Sequence, residues 1–209
     1  MKEWNGNSKS VQIMLGMSTT WHPEQRAEGD YYTTDPEAVR ALLSVHKRVF
    51  GSIKLKLDNV IWEPACGCGN ISKVLEEYGL EVVSTDLVDR GYAVSGIDFL
   101  ETKKLPERCV TIITNPPYKY ANEFIQHSLE LLPRGGIACF FLNLNYLSGQ
   151  KRYNEIYSRY DLREVIVFSN RVHCYKNNIK TGHGSPVNYG WFVFEKDYND
   201  APYIMWTAV

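Results

Sequence analysis

The sequence predicts an α/β fold, a doubly wound and mainly parallel sheet, from three observations. Short apolar, β-branched runs alternate with amphipathic helical stretches along most of the 209 residues, the pattern of successive β-α-β units. One run, Ile137 to Leu144, is apolar almost without a break, the mark of a strand covered on both faces. A glycine-rich turn, Gly67-Cys68-Gly69, joins a strand to a helix, and such joints are where these sheets receive nucleosides.

The length suits one domain. A hydrophobic content of 44% and a charged content of 22% are those of a globular chain in water. No apolar run approaches the roughly 20 residues that span a bilayer, and the first residues lack a signal-peptide pattern. A cytoplasmic protein is therefore expected. Five cysteines, an odd number, describe no disulfide framework. Cys66 and Cys68 stand too close for a zinc knuckle and no second pair follows; Cys174 beside His173 is no better placed. The thiols are read as reduced, and no metal is expected. A net charge of −1 offers no global attraction to nucleic acid. From Tyr146 to His183, however, Lys151, Arg152, Arg159, Arg163, Arg171, Lys176 and Lys180 outnumber Glu155, Asp161 and Glu164. Such an excess suits phosphates, and a solvated helix face with a basic loop accounts for it equally well.

Residues 1–30 show neither structural period and mix Gly, Ser, Asn and Thr with Trp4 and Trp21; they are read as an arm, extended or disordered unless it binds something. Tyr31 to Thr34 form a polar and aromatic lip. Asp35-Pro36-Glu37 is a helix start: an N-cap carboxylate, proline at the first helical position and an acid in the first turn. Val39, Leu42, Leu43, His46 and Phe50 follow at helical spacing, and Gly51 ends the segment. Val60-Ile61-Trp62 is a strand leading into the turn Glu63 to Asn70, followed by a helix from Ile71 to Tyr78 that Gly79 stops. Val82 to Asp86 is a second strand ending in a carboxylate, 19 positions beyond Gly67. That spacing suits a glycine loop and a ribose-binding acid; the missing third glycine argues against a bound pyrophosphate.

A short extended segment, Gly96 to Leu100, places Asp98 near a strand end. Val110 to Thr114 is a buried strand, and Asn115-Pro116-Pro117-Tyr118 ends it, because proline has no N–H for the ladder. Asn115 is held extended by the proline that follows. Phe124, Ile125, Ser128, Leu129 and Leu132 mark one helical face, stopped at Pro133-Arg134-Gly135-Gly136. After the strand at Ile137 come a polar, tyrosine-rich helix, Gln150 to Tyr160, and two strands, Glu164 to Phe168 and Trp191 to Glu195. The intervening Ser169 to Gly190 is long for a structureless connection in a compact domain.

Taken in order, Glu63-Pro64-Ala65-Cys66-Gly67-Cys68-Gly69-Asn70, Asp86, Asp98-Phe99-Leu100 and Asn115-Pro116-Pro117-Tyr118 resemble the S-adenosylmethionine-dependent amino-methyltransferases. The nearest look is that of the DNA adenine-N6 methyltransferases. The similarity covers residues 31 to 145 well; beyond them only the strand pattern matches. It implies a single Rossmann-like domain of the class I methyltransferase type over 31–209, with an antiparallel last strand and a variable region, 146–190, for substrate recognition. It implies S-adenosylmethionine as cofactor, held by Tyr31, Thr33, Pro64, Ala65, Cys66, Gly67, Gly69, Asp86, Asp98, Phe99 and Asn115. Tyr31 to Leu43 would close over the methionine end. The catalytic residues would be Asn115, Pro116, Pro117 and Tyr118.

The chemistry suits these residue types. An adenine amino group is a poor nucleophile because its lone pair is delocalised into the ring. The Asn115 side-chain oxygen and the rigid Pro116 carbonyl, accepting its two hydrogens, favour a pyramidal nitrogen with a localised pair. Tyr118 would stack on a base taken out of the duplex. Lys119, Lys151, Arg152, Arg171, His173 and Lys176 are the candidate contacts to nucleic acid, most readily DNA. The same tetrapeptide serves RNA bases, cytosine N4 and protein glutamine. Glutamine-directed relatives usually carry an added N-terminal helical domain, for which 30 irregular residues are too few. A non-catalytic subunit binding cofactor or nucleic acid is the alternative of another class.

Overall fold

The computed structural model describes residues 32–50, 60–170, 172, 174–176 and 187–208. β1 (Tyr32–Thr34) leads into α1 (Pro36–Phe50). β2 (Val60–Glu63), α2 (Asn70–Glu77) and β3 (Val82–Ser84) form the first β-α-β unit. β4 (Cys109–Thr114), α3 (Ala121–Leu131) and β5 (Ile137–Asn143) form the next. α4 (Gln150–Arg152) continues into a π-helical turn, Tyr153–Tyr157. β6 (Leu162–Phe168), β7 (Cys174–Lys176), β8 (Tyr189–Glu195) and β9 (Tyr203–Thr207) complete the order.

Seven strands make one sheet in the order β3-β2-β4-β5-β8-β6-β9. β3, β2, β4 and β5 are mutually parallel, and β8 runs antiparallel to both β5 and β6. The expected antiparallel strand is thus β8, which contains Trp191 to Glu195. Beyond it the chain adds β9, parallel to β6, which sequence reading did not find. Burial alternates along it, but apolar residues fill the exposed positions as well, with Ile204 and Trp206 half exposed or more, so its sequence shows no period of two.

Side chains alternate between two cores, as strand geometry requires. On one face Ile61, Ile113, Phe141, Trp191 and Ile166 pack under α1 and α2. On the other, Trp62, Ile112, Phe140, Phe192 and Val165 pack under α3 and the π turn. Asp35 caps α1, its carboxylate accepting the Glu37 N–H at 3.0 Å. Gly79, at φ 76°, ends the α2 segment.

Two expected elements differ. Gly96 to Leu100 is not a strand: Val94 makes an isolated bridge to Thr85, and Phe99–Glu101 is a 3-10 turn capped by Asp98. The expected helix over Gln150 to Tyr160 is one α turn followed by the π turn. Ile156 is its only fully buried apolar side chain, too little to hold a regular helix by an apolar stripe. No described helix is long and apolar enough to cross a membrane.

α1 is moored to the far half of the sheet. The Trp191 indole N–H donates to the Ala38 carbonyl at 2.8 Å, and His46 Nε2 lies 2.9 Å from Glu164 Oε1, both side chains buried. Burial works to raise the Glu164 carboxyl, but the hydrogen bond and charge of His46 outweigh it and hold it below the usual range. Replacing His46 by Ala removes the first of that buried carboxylate's partners and leaves Tyr203 and the charge of Arg163 to hold it. The expected loss is roughly 3 kcal/mol of unfolding free energy at pH 7, read from denaturant midpoints. A group held low gives stability that is present above its unfolded pKa and lost as pH falls, so the gap between wild type and variant narrows in acid.

Candidate functional site

A cleft of about 590 Å³ opens at the carboxyl ends of β2, β3 and β4. Here the chain goes from β2 outward to β3 and then returns to the other side as β4, and such reversals are where open α/β sheets bind ligands. The cleft brings together Thr33, Pro64, Ala65, Cys66 and Gly67 with Asp86, Asp98, Phe99, Asn115 and Pro117. Lys119 and Tyr120 stand at the same wall. Pro116 is buried at the end of β4, and Gly69 and Tyr118 lie beside the cleft rather than in its lining.

The glycine turn is built by backbone geometry and one acid. Gly67 and Gly69 have φ of 56° and 80°, the left-handed region that glycine adopts without cost. A Cβ on Gly69 would also run into the Tyr92 ring, so packing accounts for that glycine. Asp86 accepts the Gly67 N–H at 2.7 Å on one oxygen and the Val88 N–H at 2.8 Å on the other. The acid therefore ties the end of β3 to the turn, and each oxygen keeps a second lone pair for a ligand hydroxyl. Burial pushes the Cys66 thiol up to about 12, so it stays protonated.

Phe99 is both core and cleft wall. It packs edge-on against Trp62, with centroids 5.1 Å apart, and tilted on Phe124 at 4.8 Å.

Glu63 was not among the predicted site residues, although it opens the turn motif at the end of a strand. It lines the cleft floor at 1% exposure. Its Oε2 accepts the Ser72 N–H at 2.8 Å and also meets the Ser72 hydroxyl, which lies 2.6 Å from the Ser84 hydroxyl. Burial, against the lowering pull of the Ser72 bonds, raises this carboxyl from 4.5 to about 8.

The tetrapeptide is gripped by β1. Asn115 Nδ2 donates to the Tyr32 carbonyl at 2.8 Å. A carbonyl only accepts, so the nitrogen arm must face β1 and the oxygen arm must turn the other way. Asn70 Nδ2 donates to the Thr34 carbonyl at 3.1 Å. β1 itself pairs antiparallel with β7, Tyr32 opposite Lys176 and Thr34 opposite Cys174. The Tyr118 ring stacks on Tyr32 at 5.8 Å and on Tyr189 at 6.2 Å, and Tyr189 stacks on Phe141 at 5.1 Å.

The predicted basic contacts are only partly assembled. Lys119 reaches the cleft wall and lies over the Tyr120 ring at 5.0 Å. Arg152 donates to the carbonyls of Asn145 and Ser148 and covers the Tyr146 ring, so it braces its own loop. Lys151 is exposed, 3.8 Å from Glu155. Arg163 is buried against Glu195 at 2.7 Å, and Arg159 precedes β6, at the amino ends of the parallel strands and so opposite the cleft. Among the described residues, the basic excess of 146–183 is therefore not one surface. Lys176 lies on β7; Tyr31, Arg171 and His173, like the arm of residues 1–30, lie outside the described residues.

No family model and no curated protein matches the chain. Solved structures do. A Listeria monocytogenes protein, provisionally described as a class I S-adenosylmethionine-dependent methyltransferase, aligns with TM-score 0.58 at 14% identity, over 96% of this chain and 71% of that one. The type IIG restriction endonuclease BpuSI aligns with TM-score 0.55 at 16% identity, over 90% of this chain and 28% of its own. DrdV, solved in a complex with DNA, aligns with TM-score 0.50 at 13% identity, over 84% and 27%. The chain thus spans under a third of the length of the latter two. What is shared is the fold, that of the class I methyltransferases.

Because the raised Glu63 carboxyl binds its proton more tightly in the folded state, its contribution to stability is complete below pH 4.5 and lost as pH rises to about 8. Glu63→Gln removes that dependence. Denaturant unfolding at pH 5 and pH 9 is expected to show a smaller difference in the variant than in wild type, by an amount on the order of a few kcal/mol. Equal differences would contradict the assignment.

Proposed function

We propose that the protein transfers a methyl group from S-adenosylmethionine to the exocyclic N6 amino group of adenine in DNA. The observation that carries the reading is the Asn115 amide, at the end of β4 in the cleft wall, with its nitrogen bound to β1 and its oxygen turned away. An acceptor so fixed is what a delocalised amino nitrogen needs to become a nucleophile.

The cleft suits the cofactor. Its volume of about 590 Å³ is in the range of small-molecule sites, roughly 300–1,000 Å³. Asp86 would accept from ribose hydroxyls; the Gly67 turn admits close backbone approach; Asp98 and Phe99 would flank the adenine. Thr33, Pro64, Ala65 and Cys66 would line the remainder, with Glu63 beneath. When bound, the cofactor supplies an activated sulfonium methyl.

The chain's own residues would then do three things. Asn115 and the Pro116 carbonyl would accept the two amino hydrogens and hold the nitrogen in line. Pro116 and Pro117 keep those acceptors rigid, so little entropy is lost in aiming them. Tyr118 already belongs to a ladder of aromatic rings, which a base swung out of its duplex would join. DNA as acceptor is supported by the likeness to a restriction endonuclease and to a DNA-bound protein, and by Lys119 at the cleft wall.

The test is transfer of a labelled methyl from S-adenosylmethionine to duplex DNA, RNA or a glutamine-containing protein, followed by mass spectrometry of the modified nucleoside. N6-methyladenine in DNA is the expected product. Label in RNA, at cytosine N4 or in protein would move the same chemistry to another acceptor, and label nowhere would overturn it. Asn115→Ala is expected to lower transfer by about 100-fold or more with cofactor affinity nearly intact. Asp86→Ala is expected to weaken cofactor binding about 10-fold or more, from the lost charge-assisted hydrogen bonds. Isothermal titration separates the two effects.

A further inference from the structure

Two asparagines grip β1 from opposite walls of the cleft. Asn115, after β4, donates to the Tyr32 carbonyl at 2.8 Å; Asn70, the first residue of α2 after the glycine turn, donates to the Thr34 carbonyl at 3.1 Å. Residues two apart on a strand present their carbonyls to the same edge, so both bonds engage one edge of β1. The amide of Asn70 is itself oriented, because the Cys68 thiol donates to its Oδ1 at 3.1 Å. A one-residue slip of β1 would turn every group on that edge away, and Asn115 would lose the acceptor that tells its two arms apart.

We propose that Asn70 is a positioning residue for methyl transfer: by anchoring the Thr34 carbonyl it holds the Tyr32 carbonyl in register, and that carbonyl selects the rotational state of the Asn115 amide. This rests on the reading of Asn115 as acceptor for the substrate amino group. Asn70 need touch no reacting atom. Its effect passes through the backbone of β1, from the cofactor side of the cleft to the tetrapeptide.

The charge and hydrogen count of the side chain at position 70 provide the test. Asn70→Ala removes the donor. Asn70→Asp keeps the shape but sets a carboxylate against the Thr34 carbonyl, and so is expected to be the worse variant. Two readouts on the full chain are compared. In the unliganded protein, the Asn115 side-chain amide protons (assigned by their loss in Asn115→Ala) are followed by ¹H–¹⁵N spectroscopy. Wild type is expected to show one proton shifted by its hydrogen bond and slow to exchange. Both Asn70 variants are expected to lose that added shift and protection, the two protons keeping only the difference that any primary amide shows.

In single-turnover transfer, Asn70→Ala is expected to be slower by about 10-fold and Asn70→Asp by about 100-fold. Asn70 also lines the cleft, so cofactor affinity need not stay constant in the variants; it should fall by a smaller factor than the transfer rate, because the hydrogen bond of Asn70 runs to the strand. The Asn70→Asp deficit should shrink, relative to wild type, as pH falls and the new carboxyl regains a proton to donate.

Unchanged Asn115 protons in both variants would overturn the inference, as would Asn70→Asp equal to Asn70→Ala at every pH. Wild-type protein with the protected amide but no transfer to any acceptor would leave the positioning in place and sink the proposed function instead.

Discussion

Pro116 has no backbone N–H to give a neighbouring strand, and Pro117 repeats the lack, so β4 cannot pair beyond Thr114, whose partner is Phe140 of β5. The chain leaves the sheet at the point where its order reverses, beside the turn that leaves β2. Because the chain there is proline, it leaves rigidly. Asn115 is the last residue with freedom to hydrogen-bond sideways, and it spends its nitrogen on β1. The composition of the cleft follows from this: a strand end that stops abruptly, a glycine turn on one side and a gripped amide on the other.

β1 is only three residues long and cannot hold a position unaided. Its place is set by α1, which the Trp191 indole and the His46–Glu164 pair fasten to β8 and β6. The wall of the cleft that faces Asn115 is therefore hung from the opposite half of the sheet. β7 secures the outer edge of β1 and so supports the wall of the cleft.

The acids of the cleft have unlike tasks because their surroundings differ. Asp86 is partly open and accepts two backbone N–H groups, so it ties the turn to β3. Glu63 lies on the floor, where burial favours the protonated form. Asp98 caps the 3-10 turn through the Leu100 N–H at 3.0 Å while lining the cleft, so a turn role and a ligand role are compatible in one residue. Burial, rather than residue type, sorts them.

The doubly wound sheet, the glycine turn, the carboxylate after β3 and the proline stop after β4 were determined by the sequence alone, because each is written in local signals: period, φ preference and a missing N–H. β9 was hidden by its mixed exposure, and the π turn by a segment with one buried apolar residue. Arg152 read as a basic contact, and Arg163 as one member of a basic excess, until their partners, two loop carbonyls and Glu195, were in place. Only the tertiary structure decided that the Tyr32 carbonyl orients Asn115, that Asn70 holds the same strand edge, and that Glu63 is buried enough to keep its proton. Backbone carbonyls carry no residue signature, and burial depends on what the rest of the chain brings near.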